Sequence, residues 1–375
     1  MIHFNPGRRA ILRAGAAALA VPMLNLGAHR VFADTGRTYS TRVVDLVHRS
    51  LVIDMLAPLT LTLTPEAAAA TLSPAEVAMF RESGINAFHH SVGIGAYGDV
   101  MEFIAGWNGF VGRNSDVFAL VNHVGDIDRA KATGKIAVIM GQQDADHFRT
   151  PADVKSFYGL GQRVSQLTYN AQNLLGSGST ERVDGGVTDY GVEIIKAMNV
   201  VGMLVDVSHS GDRTTLDAIE LSAKPIAITH SNCRALNNHP RLKTDEAIKA
   251  LAAKGGVMGI SGVRMFIKAT EPTTVEDMVD HIDHVVKLVG IEHVGLGSDA
   301  DLLGYDKMPP ELNKQLRASY KASYAFRDKI DTDGYNSPKK IYDLTDALVR
   351  RGYRDADVLL VLGGNFRRLL AGTWA

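Results

Sequence analysis

The sequence predicts an α/β fold, a (β/α)8 barrel with a C-terminal helical extension, and three observations carry that prediction. Eight short apolar runs recur along the chain, and between them lie stretches whose apolar residues fall at helical spacing and mostly end on a glycine. The runs are apolar throughout rather than alternating, the pattern of parallel strands buried on both faces. With 375 residues, 46% of them apolar and 22% charged, the chain can bury a core of that size. A doubly wound open sheet is the competing fold, but no glycine-rich phosphate loop follows the first run.

In chain order the expected strands are LVIDML (51–56), INAFHHSV (85–92), IAVIMG (136–141), RVSQLTY (163–169), MLVDVSH (203–209), PIAITHS (225–231), GVMGISG (256–262) and HVGLGSD (293–299). The helical stretches include PAEVAMFRESG, VEIIKAMNVVG, TTLDAIELSA, DEAIKALAAKGG and VEDMVDHIDHVVKLVG. The extension runs from about Asp306 to Ala375. Ahead of all this, residues 1–33 pair Arg8 and Arg9 with a short Ala-rich apolar run interrupted by Pro22, and close on small residues near Ala33. That order resembles a twin-arginine export signal, so the mature barrel domain is expected over 34–375, in the periplasm. The run is too short and too weakly apolar to serve as a transmembrane anchor.

Composition narrows the partners. Forty basic residues nearly cancel 41 acidic ones, so no basic footprint for nucleic acid is present. The single cysteine, Cys233, excludes an internal disulfide and a cysteine-based metal cage, and reads as a small buried thiol. A bound metal would have to be held by histidine and carboxylate.

In a barrel of this kind the site forms where the strands end. Strand five ends in His209, strand six in THSN with His230, strand eight in GSDAD with Asp299, and strand four in LTYN with Tyr169. Two histidines from adjacent strands, with an aspartate across the barrel, can converge on one divalent cation of the zinc class. His89 and His90 sit on opposite faces of strand two, so at most one points inward, and neither is placed in the site. His281, His284 and His293 lie in or near a helix and read as surface residues.

The stretch GMLVDVSHSGDRTTLDAIELSAKPIAITHSNCRALNNHPRLKTDEAIKALAAKGGVMGI resembles the core of the renal (membrane) dipeptidase family, zinc peptidases on an amidohydrolase-type barrel. The likeness extends to LGQRVSQLTYNAQN, GGVTDYGVEIIKAMNVVGM, HVGLGSDAD and LGGNFRRLL. The resemblance implies that His209 and His230 are the histidine ligands of the family's second zinc, that Asp299 is the catalytic aspartate, and that Arg241 clamps the dipeptide carboxylate. It also marks departures. Where the family reads DGHND after strand one, this chain reads DMLAP, which puts Leu56 and Pro58 at two ligand positions of the first zinc. Gln142 stands for the bridging glutamate, and Tyr169 for a histidine that steadies the tetrahedral intermediate.

The expectation is therefore an exported dipeptidase-like hydrolase acting on a dipeptide or related small amide. It would hold one zinc per chain at His209 and His230, with Gln142 as an accessory ligand, Asp299 as proton carrier and Tyr169 as hydrogen-bond donor to the oxyanion. The alternative is a degraded barrel that binds a peptide-like ligand or assists maturation of an exported product. A changed chemistry on one metal, such as lactone or ester hydrolysis, also stays open. The sequence leaves the oligomeric state open, and a homodimer is compatible with it.

Overall fold

A computed structural model describes residues 28–29, 37–59, 69–92 and 94–374. The export signal expected over 1–33 falls, apart from Ala28–His29, outside the described residues. That dipeptide pairs antiparallel with Tyr39–Ser40.

All eight expected strands are present: β1 (Ile53–Asp54), β2 (Ala87–Val92), β3 (Ile136–Gln142), β4 (Gln162–Gln166), β5 (Leu204–Asp206), β6 (Ala227–Ser231), β7 (Val257–Ile260) and β8 (Val294–Leu296). Each pairs in parallel with the next, and the Leu296 to Asp54 pairing of β8 with β1 closes the ring. The open-sheet alternative is thereby excluded. One further strand, Phe118–Leu120, has no counterpart among the expected runs. Because β4 begins only opposite Met140, the lower half of β3 has a free edge, and Phe118–Leu120 pairs with Ile136–Val138 there.

The strands are apolar throughout because both faces are covered. Ile53, Ala87, Ala137, Ile139, Val164, Leu204, Ala227 and Val257 belong to an inner cluster, into which Phe366, Leu369, Leu370 and Trp374 of the C-terminal segment insert at the base. Gly295 leaves room for this plug, since a Cβ there would lie 2.6 Å from the Phe366 ring. Phe88, Val138, Val205, Val207, Ile228 and Met258 point outward against the helices. Two helix ends show the local chemistry. Ser73 and Glu76 form a reciprocal capping box at the start of Pro74–Glu82, and Gly202, at φ 82°, ends Asp189–Val201 in the left-handed conformation.

The C-terminal extension departs from a continuous helical run. Helices cover Pro310–Ala318, Lys340–Arg350, Asp355–Leu359 and Asn365–Thr373, but between Ala318 and Lys340 there is only a single turn at Ala322–Tyr324. Gly334, at φ 78°, and Pro338 interrupt helical geometry there. Among the described residues no helix is long and apolar enough to cross a membrane.

Candidate active site

The C-terminal ends of β5 and β6 carry two imidazoles face to face. Nε2 of His209 lies 3.0 Å from Nε2 of His230, and both rings are buried. The other nitrogen of each ring decides what stands between them. Nδ1 of His209 is 2.8 Å from the Asn170 carbonyl Oδ1, an acceptor, so that nitrogen carries the proton. Nδ1 of His230 is 2.8 Å from the Thr229 hydroxyl, which itself donates to Asp206 and so accepts from the ring. Both Nε2 atoms therefore present lone pairs to each other.

Burial holds both imidazoles well below their usual pKa, and the nearby Arg241 charge adds to this, so neither is protonated at neutral pH. Two neutral lone pairs at this distance call for an electrophile. The separation suits two ligands of one zinc-class cation, whose bonds to nitrogen are ~2.0–2.1 Å. The chain Asp206, Thr229, His230 is the kind of outer arrangement that fixes a metal-binding tautomer. Among the described residues no cluster of three or more His, Cys, Asp or Glu side chains forms a ligand set. The pair supplies two neutral nitrogen donors.

Glycines let the strand ends close under this pair. A Cβ on Gly297 would lie 1.8 Å from the Thr229 carbonyl oxygen, and one on Gly259 would lie 2.0 Å from the same atom. The motifs GVMGISG and GLGSD are thus read as close backbone approach beneath the site, a signal present in the sequence.

Asp299 follows the end of β8. Its φ of 50° is unusual for a residue with a side chain, and its N–H donates to Leu56 O at 2.8 Å, which ties the end of β8 to the loop after β1. Burial, reinforced by Asp54 and opposed by Arg241, pushes its carboxyl up to about 7. It borders a cavity of about 400 Å³ shared with His209, Tyr169, Ser91 and Pro58. The structure thus places His209 against His230 and Tyr169, and lines one cavity with His209, Tyr169 and Asp299.

Two side chains are engaged otherwise than the expected roles would have them. Tyr169 presents its ring rather than its hydroxyl to the histidines. It stacks on His209 at 4.1 Å with an interplanar angle of 18°, and its hydroxyl is engaged with that of Tyr320 at 2.7 Å. Arg241 is not displayed to the cavity for a bidentate clamp. It is wholly buried, donates to Ser208 O and, at 3.2 Å, to His230 O, and lies 5.3 Å from the centre of the Phe266 ring. Its neighbour Lys243 is buried as well, donates to Val207 O, Ser210 O and Thr215, and is pulled down to about 7 by burial and by Arg241. These two side chains brace the turn that carries His209.

None of the three histidines expected at the surface is exposed. His281 is buried, not exposed: its Nδ1 accepts from Cys233 N and its Nε2 bonds to Ile267 O, which explains its place on the inner stripe of Val275–Val289. His284 and His293 are half-buried, bonded to Asp245 and Gly256 O. His89 does point inward, held by Met55 O at 2.7 Å, with its Nε2 buried without a partner and 1.9 Å from where a Gly141 Cβ would stand. The alternation AFHHSV gives the face, but only the glycine opposite makes the room. His90 points outward, 4.2 Å from the Trp107 ring. Cys233 is a buried free thiol whose pKa burial raises, as expected of a packing residue.

Comparison with known proteins gives the family. Residues 43–319 match the family Membrane dipeptidase (Peptidase family M19). The chain belongs to the membrane dipeptidase family. It is 34% identical over 192 residues to dipeptidase verJ of Clonostachys rogersoniana, covering 50% of this chain and 49% of that protein. It is 28% identical over 260 residues to dipeptidase tcpJ of Claviceps purpurea, covering 68% and 55% respectively. The chain thus spans about half the length of the curated relatives it matches. Among solved structures, an amidohydrolase from Pseudomonas aeruginosa aligns with a TM-score of 0.78 at 30% identity, covering 88% of this chain and 99% of that one. A metallopeptidase titled dipeptidase AC shares the fold with a TM-score of 0.73 at 18% identity, covering 86% and 98%.

Leu56, Pro58 and Gln142 lie at the ends of β1 and β3. Leu56 is fully buried and apolar, and Pro58 lines the cavity beside Asp299. Gln142 closes β3, fully buried and paired in register with Val92. Neither Leu56 nor Pro58 has a side-chain atom able to bind a cation.

Proposed function

We propose that the protein is an exported metallohydrolase that cleaves a dipeptide or related small amide with one zinc-class cation per chain. The observation that carries this reading is the pair of neutral imidazoles with Nε2 atoms 3.0 Å apart, at a cavity that His209 shares with Asp299. The family supports a dipeptide as substrate.

A cation held by His209 and His230, with Gln142 as a neutral accessory donor, would polarise the scissile carbonyl and ease loss of a proton from water. The chain's own residues do the rest. Asp299 takes one proton from the attacking water as the new C–O bond forms, then delivers it to the departing nitrogen as the C–N bond breaks, so the carboxylate is regenerated. Thr229 and Asp206 hold the His230 tautomer, and the Tyr169 ring keeps the His209 plane fixed. Arg241 positions the ends of β5 and β6 and supplies a fixed positive charge that favours a substrate carboxylate nearby.

Leu56 and Pro58 favour a second reading, a barrel that binds a peptide-like ligand without turning it over or that assists maturation of an exported product. One experiment separates the two. Zinc content is measured on protein cleared of loosely held metal, and the same sample is assayed with L,L and L,D dipeptides. The expected result is about one zinc per chain, since a site of two protein nitrogens plus solvent is open rather than closed, with hydrolysis of at least one class. Two tightly held ions would contradict the role given to Leu56 and Pro58. No zinc and no hydrolysis would favour the ligand-binding barrel.

Export rests on Arg8, Arg9 and the apolar run after them, with residues 34–375 as the mature barrel domain. Replacing both arginines by lysine is expected to leave unprocessed protein in the cytoplasm, read by fractionation and N-terminal sequencing. Undiminished periplasmic material would overturn the route.

A further inference from the structure

The cavity that opens from Asp299 and His209 has one wall that the chemistry above does not use. That wall comes from the segment between Tyr305 and Ile330, and its rings form a cluster apart from the barrel core. Tyr320 and Tyr324 are 4.4 Å apart between ring centres, Tyr324 and Phe326 are 5.1 Å apart, and Phe266 lies 5.6 Å from Tyr324. Tyr305, Leu316, Tyr320 and Phe326 remain only partly buried by this packing, so their apolar surface is left facing the cavity. Leu312, 43% exposed, stands at the rim.

Three features make this wall more than a packing accident. Ala325 sits at φ 51°, a left-handed conformation that a residue with a Cβ adopts only when the surroundings enforce it, and it lies between the Tyr324 and Phe326 rings that both border the cavity. The hydroxyl bond between Tyr320 and Tyr169 ties the wall directly to the ring stacked on His209. Among the described residues lining the cavity, Asp299 is the one charged side chain.

We propose that this aromatic wall makes the site selective for dipeptides carrying a bulky apolar or aromatic side chain. This rests on the dipeptide-hydrolase reading and adds the substrate class to it. The polar end of the cavity, at Asp299 and Ser91, receives the amide, while the apolar end buries the side chain. A volume of about 400 Å³ lies within the ~300–1,000 Å³ range of small-ligand sites. Alanyl or glycyl dipeptides would leave the apolar end wet. A charged side chain would be stripped of water there without a partner.

The test compares kcat/KM for Phe-Ala, Leu-Ala, Ala-Phe and Ala-Leu with that for Ala-Ala, Ala-Glu and Ala-Lys. In parallel, calorimetric titration of the same peptides into the Asp299→Asn protein reads binding without turnover. A preference of roughly 10–100-fold for the bulky apolar peptides is expected in both readouts. Phe326→Ala and, independently, the rim change Leu312→Ser should each lower the bulky-to-small ratio at least several-fold, with the thermal midpoint checking that the fold is intact. Turnover of all peptides at similar rates, or a preference for charged ones, overturns the selectivity and leaves the hydrolase reading standing. Selective binding with no turnover by the wild type does the reverse. Neither binding nor turnover overturns both.

Discussion

His230→Ala is expected to abolish stoichiometric zinc binding and to lower dipeptide hydrolysis by more than about 100-fold. The expectation follows from the geometry. Removing one of two facing nitrogens leaves His209 as a lone imidazole, and changes to outer-shell partners alone already cost roughly 10–100-fold in metal affinity or activity. His209→Ala should behave alike. Thr229→Val should fall between wild type and these variants, since it breaks the bridge from Asp206 to His230 without removing a ligand. Equilibrium dialysis with zinc analysis on each variant, alongside circular dichroism to confirm folding, checks this. One retained equivalent of zinc in His230→Ala would mean the cation sits elsewhere.

Asp299→Asn is expected to cut hydrolysis by roughly two to four orders of magnitude, because it keeps size and hydrogen bonding but removes the proton carrier. The wild-type rate should rise as pH increases through the carboxyl's titration. That occurs near 7 in the bare site and lower beside a bound cation, since opposite charge favours the ionised form. The variant's residual rate should lack this limb. Stability moves the other way. The folded-state pKa of Asp299 lies above the ordinary value of 3.8, so its contribution is fully present below that value and is lost as pH rises through about 7. The metal-free Asp299→Asn protein should therefore melt above the wild type at pH 8 and level with it at about pH 3.5. Asparagine also tolerates the φ of 50° at this position. Thermal melts at both pH values decide the matter. Wild-type turnover in the variant would make Asp299 structural.

Both predictions concern residues that the sequence alone makes legible, and the reason is local. His209, His230 and Asp299 each follow an apolar run at a strand end, and a parallel barrel gathers its strand ends on one face. The strands themselves are readable because burial on both sides leaves uninterrupted apolar runs such as IAVIMG. The short Phe118–Leu120 strand is not, since three residues carry no usable period and its existence depends on β4 starting late beside β3.

The residues that sequence reasoning misjudges share a different property, that their surroundings come from distant parts of the chain. Helical periodicity gives His281 no reason to be inside, yet Cys233 N and Ile267 O, far away in sequence, both meet its ring. Arg241 resembles a substrate clamp because of its neighbours HPRLKTDE, but it is enclosed beneath Phe266 with the carbonyls of Ser208 and His230. Tyr169 falls at the expected strand end, but whether ring or hydroxyl faces the histidines depends on Tyr320, 151 residues later.

By itself, then, the sequence determined the barrel, the family and the strand-end trio of His209, His230 and Asp299, because periodicity and strand order are properties of short segments. Only the tertiary structure decided the protonation pattern of the imidazole pair, the elevated pKa of Asp299, the burial of Arg241 and the aromatic wall over the cavity. Each of these depends on which group lies within a few ångströms through space and on how much water is excluded there, and neither quantity is written in the order of residues along the chain.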